Sequence, residues 1–239
     1  MNKTVEFDQE LGVVDHYINH PQMIPFIGKY WGKYPKLLII AESHYLNDED
    51  KDKEKKKLII EQNKQDIKNW YKIKNTDLSK EQIYWTFTSN ILNKVTNREY
   101  DSKGHSIFKN VEKAITDSGF NPEDTSNMFC YVSYMNFFQR PAEKTGESIK
   151  VTKEDCKIAN DTLQNVIKII EPDYIVFLSS KAWNHVDKSI FGDRKIGLSC
   201  HPACAHWNKV SKKYGNRTGK DAFIHFIQKN KIFEIKKSL

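Results

Sequence analysis

Four short apolar runs punctuate a chain that is otherwise patterned for helices. Leu37-Leu38-Ile39-Ile40-Ala41 is unbroken and follows Pro35. Residues 128–135 (Met-Phe-Cys-Tyr-Val-Ser-Tyr-Met) are rich in aromatic and β-branched side chains, 174–178 (Tyr-Ile-Val-Phe-Leu) follow Pro172, and 194–199 (Arg-Lys-Ile-Gly-Leu-Ser) form a shorter fourth run. Runs this short, bounded by turn residues, suit strands in the middle of a sheet, covered on both faces. Between them, apolar positions recur at helical spacing. Leu11, Val14, Tyr17 and Ile18 make a helical preamble closed by Pro21 and Pro25, and Leu58, Ile59, Ile60, Ile67, Trp70 and Tyr71 place one apolar face on a charged helix. Further helices are predicted over 88–95 with Thr88 or Ser89 as cap, over 106–118 ending at Gly119, over 152–171, from Ser179 to about Val186, and over 218–229. Thr152 with Asp155 three residues on marks the start of the longest of these, and Pro172 its end.

Strands alternating with helices predict an α/β fold with a largely parallel sheet of four strands. No internal repeat or low-complexity linker divides the chain, so one domain over 1–239 is expected. Residues 1–34 form its N-terminal preamble, with Phe26, Ile27, Tyr30 and Trp31 as aromatic cover, and 46–84 a helical insertion or lid. Composition agrees, since 29% charged residues suit a soluble globular protein. No apolar run approaches the roughly 20 residues of a membrane helix, and the first residues lack the apolar core of a signal peptide. With four scattered cysteines, a cytoplasmic protein with reduced thiols and no membrane partner is expected.

Charge changes the picture at one end. The net +7 is concentrated from Arg194 onward, where eleven Lys and Arg face two acids. Within it, 207–220 hold five cations, Trp207, Tyr214 and no acid. Basic residues interleaved with aromatics suit a phosphate backbone bearing stackable bases. By contrast 46–84 is nearly neutral. Neither a P-loop nor a Gly-rich dinucleotide turn is present, which argues against nucleotide cofactors held that way.

Candidate chemistry lies at the ends of the strands. A parallel sheet gathers its carboxyl ends, and ligands of such sheets bind beyond them. Three polar clusters fall there: Glu42-Ser43-His44-Tyr45, Asn136 to Arg140, and Cys200 to Trp207. One pocket lined by Glu42, His44, Tyr45, Asn136, Phe137 and His201 is expected. Asn136 offers donor and acceptor to an amide-like base edge, His201 a donor to a developing anion, and Glu42 a base or a water-positioning carboxylate. A metal is not expected. His16 and His20 lack a third ligand nearby, and Cys200, His201, Cys204 and His206 match no zinc spacing. Ser43 and His44, adjacent on an extended segment, point apart and do not make a nucleophile pair.

In order, spacing and chemistry this pattern resembles the uracil-DNA glycosylase superfamily. Ala41-Glu42-Ser43-His44-Tyr45 is similar to its first motif, Phe87 to the aromatic that stacks on the extruded base, Asn136 with Arg140-Pro141 to the strand-end Asn, and His201-Pro202-Ala203 to the His-Pro-Ser loop. The likeness covers roughly 35–230. It implies a three-layer α/β/α fold around the four-stranded sheet, a single- or double-stranded DNA partner, no cofactor, and hydrolysis of a base–sugar bond after base flipping, a DNA-repair chemistry. It assigns catalysis to Glu42, His44 and His201, and the base to Tyr45, Phe87, Asn136 and Phe137. The backbone falls to Arg140, Trp207, Lys209, Lys212, Lys213 and Arg217.

The chain departs from that pattern where it matters. Ala41 replaces a Gly, His44 a Pro and Ala203 a Ser, and no Asp in the first motif is present to activate water. The paired N-terminal cysteines of an iron–sulfur branch are missing, since the first cysteine is Cys130. Two functions remain in view: a divergent base N-glycosidase, and a catalytically silent nucleic-acid or nucleotide-binding module on the same fold. The sequence leaves the oligomeric state open.

Overall fold

A computed structural model describes residues 2–99, 105–122 and 126–234. Lys236 and Lys237 of the basic C-terminal segment lie outside the described residues. Five strands form one sheet: β1 Phe26–Ile27, β2 Leu37–Ala41, β3 Ser133–Asn136, β4 Tyr174–Phe177 and β5 Lys195–Leu198. Their spatial order is β1-β3-β2-β4-β5, with β1 antiparallel and the other four parallel. The expected count of four is therefore corrected to five. The extra edge strand is made by Phe26 and Ile27, expected as aromatic cover; two residues carry no periodicity from which a strand can be read. The second parallel strand also starts later than expected. The Asn127 side chain accepts from Phe129 N at 3.0 Å and turns 128–131 into a 3-10 helix, so pairing begins at Ser133.

Pleating assigns the core. Leu38 and Ile40 of β2 face one side with Met135, Phe137, Ile175 and Phe177, whereas Leu37, Ile39 and Ala41 face the other with Tyr134, Val176 and Leu178. The first side is covered by α1 Asp8–Gly12, α2 Asp15–Asn19, α3 Lys53–Asn69, α7 Lys153–Ile170 and α8 Ser180–His185. The second is covered by α5 Thr88–Thr96, α6 Ser106–Asp117 and α9 Gly219–Lys229. A short α4, Lys80–Thr86, begins at a Ser79–Gln82 capping box and leads into α5. The Thr152–Asp155 capping box starts α7 as the sequence indicates. The cap expected from Thr88 or Ser89 is not made, because α5 begins one residue earlier with Phe87 in the cap position. No helix among the described residues is long and apolar enough to cross a membrane.

The chain moves from β2 to β3 on one side, then returns past β2 to β4 on the other. At such a reversal the connections leave the sheet in opposite directions and open a crevice beyond the strand ends. Glu42 after β2 and Ser179 after β4 stand there.

Candidate functional site

Glu42 emerges directly from β2, and its main-chain O accepts from Phe138 N at 2.9 Å. Its carboxylate is held at both oxygens. Ser148 Oγ donates to Oε1, and Ser179 Oγ donates to Oε2 at 2.6 Å. The same Ser179 Oγ accepts from Ala182 N at 3.1 Å as the N-cap of α8. His201, half-buried after β5, feels this carboxylate. Burial lowers its pKa below the ordinary 6.5, and the Glu42 charge partly offsets that. The imidazole is therefore neutral at pH 7. Its Nδ1 accepts from Ala203 N at 3.3 Å, which places the ring proton on Nε2. Asn110 Nδ2 of α6 donates to Pro202 O at 2.9 Å and ties this loop to the helix layer. Behind it Gly219 opens α9; a Cβ there would collide with Cys200 Sγ.

Between the tips of β2 and β3 and helices α4 to α6 lies a cavity of about 350 Å³. Its walls are aromatic, from Tyr45, Tyr84, Trp85, Phe108 and Tyr134, with Ser43, His44, Thr88, Asn90, Lys94 and Asn136 as polar lining. Asn136 is 7% exposed, and among the described residues its side-chain amide has no hydrogen-bond partner. Ser43 Oγ is likewise buried without a partner. Such groups cost free energy unless a ligand or water completes them. His44 is 5% exposed, its Nε2 lies 3.2 Å from Thr88 Oγ1, and burial pushes its pKa down to about 4. Burial, then the Glu42 charge, raises the Tyr45 phenol, and burial raises Tyr134.

The sequence-assigned residues separate into groups. His44, Tyr45 and Asn136 share the cavity. Glu42 and His201 sit together outside its lining, coupled through charge. Phe87 is exposed and off the cavity. Phe137 faces the opposite side of the sheet, fully buried against Phe138 and Phe177 with ring centroids 4.9 and 6.2 Å away. Neighbours on a strand point to opposite faces, so Asn136 and Phe137 do not line one pocket. Arg140 is buried: Nε donates to Asp155 Oδ1 at 2.7 Å and Nη2 to Oδ2 at 3.1 Å, with Glu143 and the Lys150 and Pro141 carbonyls taking further N–H groups. Burial works against the Asp155 carboxylate, but hydrogen bonds from Arg140, Tyr71 and Thr152 outweigh it and hold its pKa below the usual value. Trp207 is buried beside Phe223. Lys209, Lys212, Lys213 and Arg217 are exposed, and the last three belong to a loop closed by the Ser211–Arg217 bridge. Tyr214 in that loop shares a 2.9 Å hydroxyl–hydroxyl hydrogen bond with Ser180.

His16 and His20 belong to the core; His20 Nε2 donates to Trp70 O at 3.1 Å and its ring stacks on Trp70. No group of three or more His, Cys, Asp or Glu among the described residues is placed to hold a metal ion. Sequence reasoning missed Tyr84, Trp85, Phe108, Tyr134, Ser148 and Ser179. Only Tyr134 carried a signal, two residues before Asn136 and hence on its face. No family model matches the chain, and no curated protein matches it.

Proposed function

We propose that the chain is a divergent uracil-DNA glycosylase-like protein that takes a flipped nucleobase into the cavity beside Asn136 and hydrolyses its bond to the sugar. The observation that carries this reading is the Asn136 amide in an aromatic-walled cavity of about 350 Å³, with no side-chain partner among the described residues, while a neutral His201 stands outside the cavity's lining beside the Glu42 charge. That volume lies at the small end of the roughly 300–1,000 Å³ typical of ligand pockets, which suits a base or nucleoside. The parallel strands in order β3-β2-β4-β5 and helices on both faces agree with the uracil-DNA glycosylase-like fold that the motifs suggest.

In this mechanism Lys209, Lys212, Lys213 and Arg217 hold phosphates of a DNA strand, and the base is extruded. Tyr45, Tyr84 and Trp85 stack with it while Asn136 reads its edge. As the base–sugar bond breaks, its electron pair leaves with the base, and the His201 Nε2–H donates to the developing anion. The Glu42 carboxylate favours the positive charge that grows on the sugar. Water then adds to the anomeric carbon, and its proton leaves to Glu42 or to solvent.

A second reading has its own support. Both Glu42 oxygens already accept serine hydroxyls, and Ser43 stands where an acid would activate water. These features favour a silent nucleic-acid-binding module on the same fold.

Strand-cleavage assays at abasic sites, on single- and double-stranded oligonucleotides with one modified base, separate the two. Base release that drops 10²-fold or more in His201→Ala and in Asn136→Ala is expected for the hydrolase. Retention of every base together with salt-sensitive binding would leave only the binding module.

A further inference from the structure

Two cysteines bracket the loop that carries His201, and the hydrolysis proposed above uses neither. Cys200 follows β5, and Cys204 follows His201-Pro202-Ala203. Cys204 N donates to His201 O at 2.9 Å, so residues 201–204 form a turn that brings the chain back toward Cys200. The thiols meet across it: Cys204 packs against the cluster that holds Cys200, and their side chains share a hydrogen bond. Side chains that face each other at short range are what a disulfide needs. The other two cysteines lie on opposite sides of the sheet, Cys130 in the core of the second side and Cys156 on α7 of the first.

The paired thiols differ in access. Cys200 is 5% exposed; its Sγ lies where Gly219 leaves room by having no side chain, and Tyr214 OH hydrogen-bonds to it. Burial first, and the Cys204 thiol second, push the Cys200 thiol up to about 12. Cys204 is only half-buried. Beyond it the chain carries Lys209, Lys212, Lys213 and Arg217 before the next acid, Asp221. An accessible thiol beside a basic segment draws an acidic reactant.

We propose that Cys200 and Cys204 are a redox pair, oxidised to an internal disulfide by a small acidic disulfide of the glutathione class, and that the new bond closes a ring around His201. The Cys204 thiolate attacks one sulfur of oxidised glutathione, whose S–S bond breaks and releases one glutathione thiolate. The Cys200 thiolate then attacks Cys204 Sγ, the mixed disulfide breaks, and the second glutathione thiolate leaves. The two cysteine protons end on the two glutathione thiols, and two electrons pass from the protein to glutathione. The ring encloses the bond from Ala203 N to His201 Nδ1. It also takes the thiol proton away from the contact with Tyr214, whose hydroxyl meets Ser180. Oxidation thus reaches the imidazole and the basic loop together.

The test incubates the full chain with oxidised glutathione, alkylates the remaining thiols and digests with trypsin without reduction. The peptide from Ile196 to Lys209 contains both cysteines. It is expected to be lighter than the reduced peptide by the two thiol hydrogens, to carry neither an alkyl group nor glutathione, and to revert with dithiothreitol. Cys200→Ser is expected to stop at a glutathione adduct on Cys204, and Cys204→Ser to leave Cys200 as an alkylatable thiol. The wild-type peptide needs no variant, so a substitution that lowers the thermal midpoint leaves the test intact. In NMR spectra the His201 ring protons are expected to shift on oxidation of the wild type and to stay in place in Cys204→Ser, while those of His20 in the core do not move. Alkylation of both cysteines after the incubation, or a lasting glutathione adduct on Cys204 of the wild type, overturns the pair. A disulfide that leaves the His201 signals unmoved overturns its link to the imidazole. Neither readout involves a nucleic acid, so the presence or absence of base release bears on the function proposed above and not on this pair.

Discussion

The two faces of the sheet treat their polar residues in opposite ways where β3 ends. On one face Arg140 is locked to Asp155, with Tyr71 OH donating to the same carboxylate at 2.7 Å, and Phe137 and Phe138 fill the space below. The two buried charges there, Arg140 and Asp155, meet partners inside the protein, although Gln139 Oε1 beside them in the chain is buried without one. On the other face Asn136 and Ser43, 7% and 9% exposed, border a cavity; Ser43 Oγ is buried there without a partner, and the Asn136 amide makes no side-chain hydrogen bond among the described residues. The difference teaches that polarity at a strand end marks no site by itself. What marks one is polarity left incomplete next to empty volume.

The largest effect should come from opening the closed face. Asp155→Ala strands the buried Arg140 guanidinium and is expected to cost about 3–5 kcal/mol in urea unfolding, whereas joint replacement of the pair by Met and Leu should cost far less. Phe137→Ala, on the same face, should cost about 3–5 kcal/mol through the cavity it leaves. An Asn136→Ala change that destabilised the fold as much would erase the contrast between the faces.

Acid should come next. His44 and His20 keep folded pKa values of about 4 against 6.5 in the open chain. Between pH 6.5 and 4 the unfolded chain therefore binds protons that the folded one refuses, and stability falls with pH. Each histidine contributes about 3 kcal/mol over the full span. Urea midpoints at pH 7, 5.5 and 4.5 measure the slope, and His44→Gln should flatten it. Below that window the lowered Asp155 pKa sets the limit, since the closed face loses stability as its carboxylate protonates.

The smallest effect on stability belongs to the exposed loop. Lys212→Ala, Lys213→Ala and Arg217→Ala should each leave unfolding within about 0.5 kcal/mol. Each should also lower the slope of log binding constant against log salt by about 0.7 for a single strand. A slope that did not respond would remove the loop from the nucleic-acid interface.

The fold was largely legible because its signals are local. The β2 run of five apolar residues, the Thr152–Asp155 box and the turn residues bounding β4 are each contained within a few positions. The edge strand at Phe26–Ile27 was not, because its only evidence is pairing with Ser133 and Tyr134 more than a hundred residues away. The site was legible in part. Asn136 and His44 reach the cavity, but the partner that closes Arg140 lies on the next helix, and two walls come from Tyr84, the last residue of the segment read as an insertion, and from Trp85 just beyond it. Strand alternation alone would have set Phe137 on the other face. No local rule assigns Ser179 and Ser148 to Glu42, since only the folded sheet brings them together.

Two consecutive serines after β4 join distant parts of the protein. Ser179 carries the carboxylate and begins α8, while Ser180 grips the tyrosine of the basic loop. One peptide unit is thus a mechanical joint between the surface that would bear a polyanion and the charge beside His201. A variant of the loop at Tyr214 is in effect a variant of the carboxylate's mounting. Kinetic and binding effects of the two are therefore not expected to add.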